Sequence, residues 1–229
     1  MKLNHVAIIP DGNRRWARLH GLQAYQGHRK GMDDTLEKIL REARRARISH
    51  ITAWAASRDN VLKRSAMEVK FLYKLFEEKF KKYLTDKEIH ENQVNIKVIG
   101  EWREFFPKSL QKVIGNLEEA TKDYKNLFLT ILMAYDGKRE MAAAFKKAKS
   151  SGEEIDEKNL KDYLWTRNLP PVDLVIRTGG NPHWSAGFLM WQTADSEFYF
   201  TQTLWPAFST KEFQKAITEY NRRPRNLGK

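Results

Sequence analysis

The stretch His5-Val6-Ala7-Ile8-Ile9-Pro10-Asp11-Gly12-Asn13-Arg14-Arg15-Trp16-Ala17-Arg18 decides the fold. An apolar run short enough for a buried strand stops at a carboxylate, turns through Gly12 and Asn13, and enters a basic segment that reads as a helix start. In an open parallel sheet, ligands bind in the crevice beyond the carboxyl ends of the strands, where a helix start offers unpaired N–H groups to an anion. Arg14, Arg15 and Arg18 make that anion a phosphate. Asp11 is the odd residue, because a carboxylate repels a phosphate unless a cation sits between them.

Working outward, the same strand-then-helix alternation continues. Gly27-His28-Arg29-Lys30-Gly31 precedes an amphipathic helix with apolar residues at Met32, Leu36, Ile39, Leu40 and Ala43. Ile48 to Ala56 reads as a strand followed by a polar loop at Ser57-Arg58-Asp59-Asn60, and Ser65 to Tyr83 as a long helix. Strands are expected at Val94–Ile99, Leu127–Ala134, Val172–Ile176 and Glu197–Phe200. Helices are expected at Leu110–Leu117, Gly137–Lys149, from about Asp156, and after the capping box Ser209-Thr210-Lys211-Glu212. The continuous apolar runs suit parallel strands covered on both faces. The expected fold is therefore α/β, a single domain over residues 1–229 with a central, mainly parallel sheet of about six strands flanked by helices.

Composition narrows the function. A net charge of +12 selects anionic partners: phosphorylated substrates, a membrane surface or nucleic acid. No nucleic-acid-binding module is present in the sequence, so charge is the sole support for that last class. Cysteine is absent, which excludes disulfides and thiolate chemistry. No signal peptide is visible, and the longest apolar stretch is far short of a membrane span. A cytoplasmic protein touching membranes peripherally is expected.

Arg177-Thr178-Gly179-Gly180 repeats the logic of the opening stretch: a strand end, a cation, a hydroxyl and two glycines. Two basic strand ends in one sheet point to two phosphate sites. Other residues have plainer readings. Arg64 and Glu68 are spaced for a helical ion pair, Asn60 for a turn, and His28 for a helix start. Glu197 falls within an aromatic strand, and Trp184, Trp191 and Trp205 read as core.

Taken in order, these blocks resemble the cis-prenyltransferase family, whose members include undecaprenyl diphosphate synthases. The blocks are residues 5–17, 27–31, 57–68, Tyr135-Asp136-Gly137-Lys138, 173–180, and 191–206. The resemblance implies a Mg²⁺-dependent enzyme that condenses isopentenyl diphosphate with an allylic diphosphate and forms a cis double bond. It implies catalytic roles for Asp11, Asn60 and Arg64, and metal binding by Asp11 and Glu197. It places Gly12, Asn13, Arg14, Arg15 and His28 at the allylic diphosphate and Arg177 and Ser185 at the isopentenyl diphosphate, with Trp16, Ser57 and His183 among the substrate-binding residues. A homodimer is implied too, with the ending Arg225-Asn226-Leu227-Gly228 approximating a motif that completes the partner's site.

The chain departs from the family pattern at Asn181-Pro182-His183-Trp184-Ser185-Ala186-Gly187, where Glu-x-Arg-x-Ser-Asn is usual, and also at Ala24, Val61 and Asp195. Departures on the isopentenyl side raise one alternative, irregular, branched condensation or transfer to another acceptor; a catalytically silent partner subunit is a separate alternative, against which the retained Asp11, Asn60, Arg177 and Glu197 argue. Phe71 and Tyr73 are bulky on the helix that borders the family's product tunnel, so a short-to-medium product is expected.

Overall fold

The computed structural model describes residues 3–223. Strand β1 (His5–Ile9) is buried along its whole length, and its alternate residues serve two cores. Val6 and Ile8 point into one cluster, Ala7 and Ile9 into another on the opposite face of the sheet, as period-two geometry requires. Such a strand must lie inside a sheet covered on both sides.

The sheet has six strands: β1, β2 (His50–Ser57), β3 (Val94–Ile99), β4 (Leu127–Tyr135), β5 (Leu174–Arg177) and β6 (Glu197–Phe200). Their spatial order is β3-β4-β2-β1-β5-β6, and every pairing is parallel. The chain winds outward from β1 in both directions, with β2 on one side and β5 on the other. The crevice beyond the ends of β1 and β5 is therefore the topological switch point, where open parallel sheets place ligands.

The connections are α1 (Asn13–Leu19), α2 (Ala24–Lys30), α3 (Leu36–Arg45), α4 (Arg58–Lys63), α5 (Ala66–Tyr83), α6 (Lys87–Glu91), α7 (Trp102–Phe105), α8 (Lys108–Thr121), α9 (Gly137–Ser151) and α10 (Thr210–Arg222). The expected capping box opens α10, with the Ser209 and Glu212 side chains and backbones bonded reciprocally. Helix α5 buries Leu72, Leu75, Phe76, Lys79, Phe80 and Tyr83 at helical spacing. The larger core lies between α3, α5, α8, α10 and one face of the sheet.

Three expectations need correction. The segment 27–31 is no lead-in to a helix: α2 runs through Gly27 and continues by a π-turn, Gly31–Thr35, into α3. Glycine is required there by packing, since a Cβ on Gly27 would stand 2.1 Å from the Asn13 carbonyl oxygen, and one on Gly31 would stand 2.5 Å from Asn13 Oδ1. The polar loop at 57–60 is the start of α4, because Ser57 and Asn60 form a capping box that the sequence reading did not credit. The helix expected from Asp156 is one 3₁₀ turn, Leu160–Tyr163. Among the tryptophans, Trp205 is core, whereas Trp184 is 43% exposed and only its indole N–H turns inward, to the Phe188 carbonyl at 2.8 Å.

Candidate active site

The end of β1 is locked in place by its backbone. The Asp11 carbonyl accepts hydrogen bonds from Thr178 Oγ1 at 2.8 Å and the Trp205 N–H at 2.9 Å. Gly12 takes φ +110°, and a side chain there would strike Leu204 at 2.8 Å, so glycine is needed on both counts. Gly179, at φ +89°, lets Arg15 and the Asp11 backbone approach; a Cβ would sit 2.6 Å from Arg15 Nη2. The glycines of the second motif thus bring protein groups together.

These constraints leave the Asp11 carboxylate between two guanidinium groups. Oδ1 pairs with Arg15 at 3.2 Å and Oδ2 with Arg177 at 3.3 Å. The two basic strand ends therefore face one crevice. Arg177 is 6% exposed, and also donates to the His183 carbonyl at 3.1 Å and to Ser185 Oγ. Its Nε is buried without a hydrogen bond. Burial lowers the Arg177 pKa, an effect Asp11 partly offsets.

Around this pair lies a cavity of about 420 Å³, lined by Asp11, Gly12, Asn13, Arg14, Arg15, His28, Ser57, Asn60, Arg64, Arg177 and Ser185, with Ile9, Pro10 and Trp54. Four arginines face one carboxylate. His28 is neutral: burial first, then Arg64 and Arg14, lowers its pKa to about 3. Its Nε2 accepts from Arg64 Nη1 at 3.3 Å, and the same Nη1 donates to Glu68 Oε1 at 2.9 Å. The i,i+4 pair read from the sequence is real, and it aims Arg64 across to α2. Asn60 likewise caps α4 and still borders the cavity.

A second cavity, narrow at about 60 Å³, shares Pro10, Asn13 and His28 with the first. It runs between α5, the Gly31–Thr35 turn and the sheet, past Leu36, Leu72, Phe76 and Phe80 to Tyr83. A charged chamber and an apolar tunnel thus share a wall.

Three expected site residues stand outside the chamber wall. The Trp16 ring stacks on His20 at 4.1 Å and is not part of the cavity lining. His183 lies behind Ser185, with its Nε2 2.8 Å from Ser185 Oγ. Glu197 begins β6 opposite Leu174, whereas Arg177 pairs with Phe200. Three residues of strand separate the two levels, roughly 10 Å. The Glu197 carboxylate accepts from Arg223 at 2.6 Å instead. The sheet register therefore does not bring Glu197 to Asp11 within this chain. Residues 225–228 lie outside the described residues.

Trp54 lines the chamber and was not found by sequence reasoning, because it sits in an apolar strand and reads as core. It stacks on Phe188 at 5.2 Å, yet its indole N–H has no partner. A register irregularity between Trp54 and Ser57 at the end of β2 places it there. Phe71 and Tyr73 were expected at the tunnel floor and are not: Phe71 packs on Tyr25 at 4.5 Å, and Tyr73 on Phe106 at 4.7 Å. One helical face carries 72, 76 and 80, and 71 and 73 fall to either side of it.

Among the described residues, no three His, Cys, Asp or Glu side chains cluster as a metal cage. Among the described residues, Asp11 alone presents a carboxylate to the chamber. That donor set fits Mg²⁺, which typically takes one or two carboxylates and completes its shell with substrate phosphates and water. It fits a metal that arrives with its substrate.

Arginines for a polyanionic head and an apolar tunnel for a tail define a protein that handles phosphorylated amphiphiles. Residues 9–228 match the family described as "Putative undecaprenyl diphosphate synthase". The chain is 42% identical over 232 residues to a tritrans,polycis-undecaprenyl-diphosphate synthase (geranylgeranyl-diphosphate specific) of Pyrococcus horikoshii, covering 98% of this chain and 86% of that one. It is 41% identical over 234 residues to the Methanocaldococcus jannaschii protein of the same name, covering 98% and 82%. Lavandulyl diphosphate synthase from Lavandula x intermedia, solved with dimethylallyl diphosphate, superimposes with a TM-score of 0.90 at 30% identity, over 100% of this chain and 99% of that one. The chain belongs to the undecaprenyl diphosphate synthase family and is a cis-prenyltransferase of isoprenoid biosynthesis. No helix among the described residues is long and apolar enough to cross a membrane.

Proposed function

We propose that residues 1–229 act as one catalytic domain that extends an allylic diphosphate with isopentenyl diphosphate, with geranylgeranyl diphosphate as primer and a long polycis chain as product. The observation that carries this reading is that the arginine chamber lies against the apolar tunnel, the two sharing Pro10, Asn13 and His28. Primer and product follow the names of the archaeal relatives, and the long product replaces the short-to-medium one expected from Phe71 and Tyr73, which do not line the tunnel.

In this reading Arg14, Arg15 and Arg64 hold the allylic diphosphate, with Gly12, Asn13, Ser57 and Asn60 shaping its seat and the chain lying toward Met32 and Phe76. Arg177, fixed by Asp11, Ser185 and the His183 carbonyl, holds the isopentenyl diphosphate on the β5 side. Mg²⁺ held by Asp11 would supply charge neutralisation to the departing diphosphate. The guanidinium groups, already fixed by protein contacts, stabilise the same developing charge without reorganising. Holding both substrates over one crevice supplies the proximity that a bimolecular condensation otherwise lacks. His28 enters neutral, so it accepts a hydrogen bond where a cation would compete with Arg64 for phosphate.

The enzyme works as a homodimer at a membrane surface. Exposed Leu19, Leu22, Leu62 and Met67 sit on or beside α1, α4 and α5, the region that carries Arg14 and Arg64, which supports contact with an anionic bilayer.

The test supplies isopentenyl diphosphate with dimethylallyl, farnesyl or geranylgeranyl diphosphate and Mg²⁺, then measures product mass and double-bond geometry. Regular cis chains, made best from geranylgeranyl diphosphate, are expected. The likeness to lavandulyl diphosphate synthase, with the altered segment Asn181 to Gly187, favours one second reading, irregular coupling. Branched products would establish it, and no turnover with any pair would leave a silent subunit.

A further inference from the structure

The deep end of the apolar tunnel is not apolar. Lys79, on the tunnel face of α5 between Phe76 and Phe80, is 3% exposed and lines the cavity. Burial to this degree is rare for lysine unless it is paired. Its Nζ pairs with Glu37 on α3, lies 3.5 Å from Asp33 in the turn before α3, and sits 4.8 Å from the centre of the Tyr83 ring. Tyr83 is fully buried at the same end, and its pKa is pushed well up by burial and by Glu37. The pair therefore spans the two walls of the tunnel, α5 on one side and the turn and α3 on the other.

We propose that the Lys79–Glu37 pair is the stop of this tunnel and sets the length at which chain growth ends. The inference rests on the prenyl-transfer reading and goes beyond it by assigning a length-setting residue. The remaining walls, formed by Met32, Leu36, Leu72, Phe76 and Phe80, accept a hydrocarbon without penalty. At Lys79 a growing tail must press alkyl groups onto a desolvated ion pair and offer no hydrogen bond in return, or separate the pair and leave a buried charge. Either path opposes each added five-carbon unit from that point. The pair also ties α5 to α3, so it resists the parting of the walls that a longer chain would need. Phe76 and Phe80 lack this second action, and Phe71 and Tyr73 lie off the tunnel altogether.

The experiment compares wild type with Lys79→Met and Glu37→Gln in the full chain. Products grown from geranylgeranyl diphosphate and excess isopentenyl diphosphate are dephosphorylated and sized. In parallel, binding of unreactive alkyl diphosphates of increasing length is followed by tryptophan fluorescence, Trp205 being in the tunnel wall. Lys79→Met keeps an unbranched stem without the charge; the product distribution is expected to move up by at least one isoprene unit, and the longest well-bound alkyl chain to lengthen with it. Glu37→Gln, which alters the pair from outside the tunnel, is expected to move both in the same direction by less. Unchanged or shorter products from a folded, active Lys79→Met protein overturn the proposal. Should that variant fail to fold, the Glu37→Gln result decides in the same way. If wild type makes no polyprenyl diphosphate, the prenyl-transfer reading falls on its own, and the alkyl-length series still decides whether Lys79 ends the tunnel.

Discussion

Arg177 Nη2 stands 3.3 Å from Asp11 Oδ2, joining the ends of two neighbouring parallel strands across 166 residues of chain. A buried guanidinium and the only chamber-facing carboxylate among the described residues thus fix one another before any substrate arrives. Because the same arginine also holds Ser185 and the His183 carbonyl, β1, β5 and the segment after β5 form one positioned unit.

Asp11→Ala should abolish turnover while leaving the fold. The side chain is 36% exposed and opposes the exposed Arg15 and the buried Arg177; its loss leaves Arg177 held by Ser185 and the His183 carbonyl and costs about 1–3 kcal/mol. The expected loss in kcat is at least about 10²-fold, the scale of removing one transition-state stabilising group. Steady-state kinetics with a urea unfolding curve checks both halves; retained activity sinks the metal role of Asp11.

Arg177→Met separates a structural from a substrate role. It strips a donor from the His183 carbonyl and Ser185, and is expected to cost about 1–3 kcal/mol of stability. In the folded fraction the KM for isopentenyl diphosphate should rise far more than the KM for the allylic substrate. Equal effects on both would refute the assignment of the β5 side to the second substrate.

The sheet was legible because each strand is an apolar run closed by a turn signal, and all six stand where those runs place them. Asp11, Arg14, Arg15 and Arg177 were legible because charges just beyond an apolar strand have one crevice to enter. The chamber's Trp54 was not, since an indole in an apolar strand looks the same whether its N–H meets a carbonyl or a cavity. Helix α4 was hidden because Ser57 and Asn60 read equally as loop residues until the box between them is seen. Lys79 was hidden for a similar reason: one lysine on the apolar face of α5 shows its partner only when α3 is docked. Glu197 is the converse case, since only the register of β6 shows that it starts its strand at the level of Leu174 and away from Asp11.

Trp54→Phe tests the unpartnered indole. Phenylalanine keeps a ring against Phe188 but removes the N–H from the chamber wall. Stability should change by less than about 1.5 kcal/mol, as for volume-similar core swaps. If the indole donates to a substrate oxygen, its loss raises KM about tenfold, the worth of one neutral hydrogen bond. Unaltered kinetics would leave Trp54 as packing alone.

Phe71→Ala should leave product length alone. Its ring meets Tyr25, itself 43% exposed, outside the tunnel. The loss is a surface aromatic pair, about 0.5–1.5 kcal/mol. Sizing the products beside those of wild type checks it, and a longer product would return Phe71 to the tunnel floor.

Acid should destabilise the protein through two histidines that fold neutral. His5 is fully buried, with Nδ1 3.0 Å from the Pro170 carbonyl and Nε2 2.8 Å from Thr52 Oγ1; burial foremost lowers its pKa to about 4, and that of His28 falls to about 3. Both values lie below the 6.5 of an unfolded histidine, so between pH 6.5 and 4 the unfolded chain binds more protons than the native one. Stability is then complete above pH 6.5 and declines as pH falls, by about 3–5 kcal/mol per group at most. Urea unfolding at pH 7.5, 5.5 and 4.5 should show this slope. His28→Gln, which keeps an amide oxygen to accept from Arg64 and cannot titrate, should make it shallower while leaving the His5 share. A diphosphate bound beside Arg14 and Arg64 screens the charges that help hold His28 neutral, so inorganic diphosphate should flatten the wild-type slope and have a smaller effect on that of His28→Gln.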